Sequence, residues 1–312
     1  MALFTRVYFN AVLGALGGLA GWLLFGAVGD PRDSGQGQWL LGGAIIGGSI
    51  GYCVVGIEGL LDRSLVRFCR LATYGLVLGA AGGAAGLWLG EKVNYSLVER
   101  IGAPRPENYF GPLLGLMAAR GLGWMVLGMA VGLGEGVAAR SLGRTSYSML
   151  GGAIGGFFGG ALFCLLYIEG LRQGGAESWG ALAGAVGLVI LGACIGALSA
   201  LVRGVFVRAS LKVLRGWQEG REYPLDKPAT ILGRDEHADI PLFRDMRIEK
   251  RHAVIRREGK GYVLENEAAP EQTTVNGEAV AEPRELADGD RIQLGEVVLR
   301  FRTRALRVDN IP

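Results

Sequence analysis

Residues 144–160 read RTSYSMLGGAIGGFFGG. Beyond Arg144 the stretch carries no charge, and Gly152, Gly155, Gly156, Gly159 and Gly160 fall at steps of three and four, which line one face of a helix. The same spacing occurs twice upstream. Arg6 stands eight residues before Gly14, with Gly17, Gly18 and Gly21 following; Arg67 stands eight before Gly75, with Gly79, Gly82, Gly83 and Gly86 following. A glycine face lets helix backbones approach closely where no water drives association, as inside a bilayer. Further glycines recur at Gly43, Gly47 and Gly51, and at Gly128 and Gly132. The pattern reads as three copies of a two-helix hairpin, the middle copy carrying a long insert over 91–120.

Outward from this stretch, charge density divides the chain. Residues 1–205 hold 13 Lys/Arg, 10 Asp/Glu and 46 of the 54 glycines, whereas residues 206–312 hold 19 of each charge type. The first segment is far below the roughly one-quarter charged content of soluble domains, and the second is ordinary for one. The expected domains are therefore 1–205, helical and membrane-embedded, and 206–312, soluble, with the boundary near Arg203–Arg208. Six windows are long and apolar enough to cross a bilayer: about 7–29, 38–57, 72–90, 121–138, 149–168 and 179–202. The first is not read as a secretory signal, because its pattern recurs downstream.

Arginines mark one side. Arg6, the loop with Arg63, Arg67 and Arg70, the loop with Arg140 and Arg144, and the exit with Arg203, Arg208, Lys212 and Arg215 all fall on one face of a six-span protein. By the positive-inside rule that face is cytoplasmic, so both termini are expected inside. Tyr109–Arg120 is apolar but short, and is expected to lie along the outer interface or to re-enter. The first two copies end alike, as Glu58-Gly59 through Arg63-Ser64 to Arg67 and as Glu135-Gly136 through Arg140-Ser141 to Arg144; the third has Ser199 and Arg203 there. The ending reads as an interfacial helix end with a basic topology signal. Its sharper alternative is an ion or substrate relay on Glu58 and Glu135, since acids at membrane depth are costly and often functional. Cys53, Cys69, Cys164 and Cys194 have no metal-ligand spacing and read as small buried hydrophobes.

From Ser210 onward the periodicity turns to short alternating runs broken by Lys260-Gly261, Asn276-Gly277, Asp288-Gly289 and Leu294-Gly295. Many short strands without intervening helices argue for an antiparallel sandwich. Within it stand Ile231-Leu232-Gly233-Arg234, Ala238 to Leu242, Lys250-Arg251-His252-Ala253-Val254-Ile255, Thr273-Thr274-Val275-Asn276-Gly277, and Leu286 to Gly295. This ordered set, over about 95 residues, resembles a forkhead-associated (FHA) domain.

The resemblance implies an eleven-stranded sandwich that reads phosphothreonine peptides with loops at one end. It makes Arg234, Glu249, Lys250, Arg251, Glu271 and Thr273 the partner-binding candidates, and Gly233, His252, Asn276 and Gly277 structural positions. Glu249 stands where the family usually has a phosphate-binding serine, and Glu271 where it usually has an asparagine. A carboxylate repels a dianionic phosphate, and Glu249 is expected to pair with Arg234 internally. These departures favour phosphate-independent protein binding at the same face over standard phosphothreonine binding, which stays as the alternative. The leading expectation is a membrane-anchored recognition or scaffold protein that recruits a cytoplasmic partner, its glycine faces able to form homo-oligomers. The alternative is a transporter or channel regulated by the FHA-like part. No catalytic grouping, cofactor motif, metal cluster or basic nucleic-acid footprint is legible, so neither an enzyme nor a nucleic-acid binder is expected.

Overall fold

The computed structural model describes residues 3–29, 35–61, 64–102, 104–105, 108–174, 179–259, 261–269 and 272–303. It divides into two compact units, Ala2–Val205 and Phe206–Pro312.

The first unit is six helices: α1 (Leu3–Val28), α2 (Gln36–Leu61), α3 (Leu65–Ile101), α4 (Phe110–Ala139), α5 (Leu142–Gly174) and α6 (Trp179–Phe206). Each contains a stretch long and apolar enough to cross a membrane. Glycine sets the helix spacing. A Cβ added at Gly47 would fall on the carbonyl oxygen of Gly79, and one at Gly79 on that of Gly47, so α2 and α3 touch backbone to backbone. Between the close contacts Ile50, Val54, Leu127, Val131, Leu191 and Ile195 form a buried apolar core drawn from α2, α4 and α6. Cys164 is buried, but Cys69 is exposed on the helical surface rather than packed inside.

The insert differs from expectation. Tyr109–Arg120 is not a separate segment; from Phe110 it is the first part of α4, and α3 runs on to Ile101. The two helices simply extend as a hairpin, with Arg120 and Glu91 paired between them. Local apolar length underestimates such helices, because an ion pair across the hairpin neutralises the charges that appear to end them.

The shared ending of the first two copies is a stop–start turn. Ser64 N donates to Gly59 O and Ser141 N to Gly136 O, both at 3.2 Å. Each serine then caps the next helix, Ser64 Oγ accepting from Arg67 N and Ser141 Oγ from Arg144 N. Arg140 closes α4 in the left-handed region, at φ 51°. The arginines are more than a topology signal. Arg144 and Arg203 are 8% and 4% exposed and point inward. Arg144 pairs with Glu58; Arg203 Nη1 lies 3.2 Å from Glu58 and 3.1 Å from Glu135, and Ser148 Oγ donates to Glu135 at 2.7 Å. Four helices thus meet through two glutamates and two arginines around a small cavity. Paired charge is tolerated in a low-dielectric interior where single charge is not.

The second unit is a two-sheet sandwich. One sheet has the order β2-β1-β11-β10-β7-β8 and the other β4-β3-β5-β6-β9. The strands are β1 (Ala209–Arg215), β2 (Glu222–Pro224), β3 (Ala229–Gly233), β4 (Ile240–Pro241), β5 (Ala253–Glu258), β6 (Gly261–Asn266), β7 (Thr273–Val275), β8 (Glu278–Ala279), β9 (Arg284–Glu285), β10 (Arg291–Leu294) and β11 (Val297–Thr303). Alternation drives it: Leu211, Val213, Leu299 and Phe301 face inward at 0–1% exposure while Lys212, Arg300 and Arg302 face out. Each such aliphatic or aromatic side chain contributes roughly 1.5–3 kcal/mol on burial. The unit closes its own core with Leu232, Ile255, Leu264 and Ile292.

Candidate functional site

The loops β3–β4, β4–β5, β6–β7 and the β10–β11 turn gather at one end of the sandwich. Backbone bonds lash the first two together: Arg234 N donates to Glu249 O (2.9 Å) and Asp235 N to Lys250 O (3.3 Å). Gly233 permits this contact, since a Cβ there would fall on the Lys250 carbonyl. Asp245 joins the turn to the same group by accepting from Arg247 N (3.0 Å) and Glu296 N (2.6 Å). Burial alone would raise its carboxyl; the two amides together with the Arg247 guanidinium outweigh this and hold it below the ordinary value. Gly295 N reaches Gln272 O at 3.2 Å, bringing in the β6–β7 loop.

His252 is the brace beneath. It is fully buried; its Nδ1 accepts from Glu249 N (3.1 Å), and its Nε2 faces Thr273 Oγ1 (3.1 Å). Because Nδ1 accepts an amide proton, the ring is neutral with its hydrogen on Nε2, an assignment that follows from the bonds. Thr273 in turn donates to Asn266 Oδ1 (2.7 Å), and Asn266 Nδ2 donates to the carbonyls of Ala268 and Val280. Burial pushes the His252 pKa down, with hydrogen bonding and nearby acids opposing.

On this frame the candidates separate. Arg234 does not pair with Glu249 as the sequence suggested. Its Nε donates to Ile248 O at 3.1 Å and its Nη1 lies 3.5 Å from Met246 Sδ, and among the described residues no carboxylate pairs with it. Glu249 turns its backbone to the brace while its side chain is exposed. Lys250 is exposed and without an ion-pair partner among the described residues. Arg251 grips Glu267 through two bonds, so its charge is already neutralised. Thr273, expected on the binding face, is fully buried in the His252–Asn266 chain and is corrected to a core position. Glu271 lies outside the described residues. Asn276 and Gly277, at φ 54° and 90°, form the hairpin turn joining β7 to β8. Asn276 bonds Asp290 and Arg291 at the far end of the sandwich.

Sequence reasoning missed Asn266, Ile248 and Met246. Asn266 ends a strand, where polar residues are common, and a backbone carbonyl such as that of Ile248 leaves no trace in a side-chain pattern. The chemical result is a guanidinium fixed at its Nε, its outer face uncommitted to any acid among the described residues, with Lys250 on the adjoining loop. Such a fork suits a phosphate or carboxylate. Among the described residues no His/Cys/Asp/Glu group is placed to hold a metal.

Comparison with known proteins bears on this unit. Residues 212–305 match the family described as inner membrane component of T3SS, cytoplasmic domain. The glycogen accumulation regulator GarA of Mycolicibacterium smegmatis is 38% identical over 95 residues, which is 30% of this chain and 59% of that protein. The FHA domain-containing protein FhaA of Mycobacterium tuberculosis is 39% identical over 84 residues, 26% of this chain and 16% of that one. A solved chain from work on phosphothreonine-dependent FHA domain interactions is 33% identical, covering 32% of this chain and 99% of its own, with a TM-score of 0.29. The chain spans about three fifths of the length of the first curated relatives it matches. The C-terminal region matches an FHA domain.

Proposed function

We propose that this protein is a membrane-anchored recognition protein whose FHA domain binds a phosphothreonine-containing segment of a cytoplasmic protein, acting by binding rather than by chemistry of its own. One observation carries the reading: Arg234 is held by the Ile248 carbonyl and, among the described residues, has no carboxylate partner, beside exposed Lys250. A charged donor placed for an anion, on loops pinned by His252, needs little reorganisation to bind one. Phosphothreonine dependence is what the solved FHA relative is described by, and it supports the same assignment here. The six apolar helices support anchoring, and the arginine-rich loops support cytoplasmic termini. The repeated glycine spacing supports a threefold set of hairpins, with the backbone contact of Gly47 and Gly79 as its packing mode.

The test is binding of the full chain, in lipid nanodiscs, to matched phosphothreonine and unmodified peptide pools. The phosphorylated pool is expected to bind at least about tenfold more tightly, and Arg234→Ala to abolish the difference. Equal binding of the two pools would return the face to phosphate-independent recognition. A second reading, a transport assembly regulated by the FHA domain, draws on the buried Glu58–Arg203–Glu135 network. Ion flux through proteoliposomes that disappears with Glu58→Gln and Glu135→Gln would favour it; impermeable vesicles would end it.

A further inference from the structure

The outer face of the β2-β1-β11-β10 portion of the first sheet carries a charge arrangement that recognition does not use. Lys212 on β1 is paired in register with Arg300 on β11, and Arg300 with Arg291 on β10, so three cations stand abreast on one rung. On the next rung Arg302 is opposite Ser210, and Arg208 precedes the strand. Cross-strand neighbours stand about 5 Å apart, and like charges directly opposite destabilise a sheet. None of the five has an ion pair among the described residues, although Glu222 is opposite Lys212 and accepts a hydrogen bond from Ser210 Oγ. Asp290 adjoins Arg291 but is engaged by Asn276 and by Ala287 N. The row is thus repulsive within the fold, and the acids at its edges, Glu222, Asp288 and Asp290, are already engaged, Asp288 by Thr303 N.

Its place in the chain supplies the partner. Helix α6 ends at Phe206 and β1 begins at Ala209. Three residue steps span at most about 10 Å, close to the screening length at physiological salt, roughly 8 Å. The start of β1 therefore stays within electrostatic range of whatever surface α6 emerges from. The cations crowd toward this end of the strands, whereas the Arg234 loops sit at the opposite end with the Gly295 turn. A surface that neutralised the row would leave the recognition loops open.

We infer that Arg208, Lys212, Arg291, Arg300 and Arg302 form a docking face for anionic phospholipid headgroups of the bilayer that holds the helices. This rests on the membrane reading above and adds to it a second, electrostatic contact that sets the domain's orientation. Headgroup phosphates offer the dense negative charge that relieves the cross-strand repulsion, and juxtamembrane basic residues each gain from an anionic leaflet.

The domain closes its own core, so residues 206–312 can be tested alone by co-sedimentation with vesicles. Phosphatidylcholine vesicles containing about one-third phosphatidylglycerol are expected to retain it at least about tenfold more than pure phosphatidylcholine. About 0.5 M salt should release it, and the Lys212→Glu/Arg300→Glu/Arg302→Glu variant should not bind. That variant must keep wild-type circular dichroism and wild-type phosphopeptide affinity, which separates loss of the face from loss of the fold. Equal retention on both vesicle types, absence from both, or undiminished binding by a folded triple variant would overturn the inference. Flotation of the full chain with liposomes reports anchoring separately, so failure of the membrane reading is distinguishable from failure of this face.

Discussion

Arg203 and Arg234 bring the same cation into opposite surroundings. Arg203 is 4% exposed between helices and is neutralised by Glu58 and Glu135. Arg234 sits half-buried at a sandwich edge, leaning on the Ile248 carbonyl and the Met246 sulfur. Between apolar helices an unpaired ion is prohibitive, so the chain supplies the counter-charges itself. At a water-exposed edge the cost of waiting is small, and a guanidinium can be kept for a ligand. Internal pairing fits the first to architecture; the second, with no acid partner among the described residues, keeps what an anion site needs.

The largest effect that would break this contrast is at Arg203. Arg203→Ala leaves Glu58 to Arg144 and leaves Glu135, held by the Ser148 hydroxyl, without its arginine, and is expected to destabilise the helical unit by about 3–5 kcal/mol. Steric-trap or denaturant unfolding in bicelles measures it. Arg203→Ala combined with Glu135→Gln, which leaves the Arg144–Glu58 pair in place, should recover much of the loss; no recovery would mean that packing, not charge, holds these helices.

Next comes the brace. Removing the imidazole in His252→Ala opens a cavity and strands Glu249 N, at an expected cost of about 2–4 kcal/mol to the sandwich. Acid probes the same point. The folded domain holds His252 neutral, with its pKa lowered chiefly by burial, so the unfolded chain binds the extra proton first. Its stabilising contribution is therefore complete above the ordinary histidine pKa near ~6.5 and is lost as pH falls below that toward the depressed folded value. Urea midpoints between about pH 7.5 and 5 should decline for the wild type and be flatter for His252→Gln; equal slopes would remove the histidine from the account.

The smallest effect sharpens the comparison. Glu249 is an exposed carboxylate beside the site, so Glu249→Ser should remove repulsion and add a hydroxyl, tightening phosphopeptide binding by about tenfold, near 1.4 kcal/mol. Its effect on stability should be negligible, because it is the backbone N–H of residue 249 that serves the brace. Isothermal titration with one phosphopeptide decides it, and weaker binding by the variant would show Glu249 to be a contact rather than an obstacle.

Much of this was legible without coordinates. Six apolar helices followed by a β-sandwich were readable, because hydrophobic length and period-two alternation are local properties of the chain. The Glu-Gly and Arg-Ser ending was also visible as a pattern, although its work as a stop–start turn was not. At the recognition end Gly233, Arg234 and His252 stood in recognisable motifs, yet Thr273 read as surface and is core. Nothing along the sequence distinguishes a threonine facing a peptide from one facing His252.

The sequence by itself determined where apolar helix gives way to charged sandwich, since solvent preference is written residue by residue. Tertiary structure alone decided which charges would meet. Arg203 finds Glu58 across 145 positions of chain, and Arg234 takes a carbonyl 14 positions away rather than the carboxylate of Glu249. Pairing at a few ångströms depends on how separately formed elements turn toward one another, and no local periodicity carries that angle.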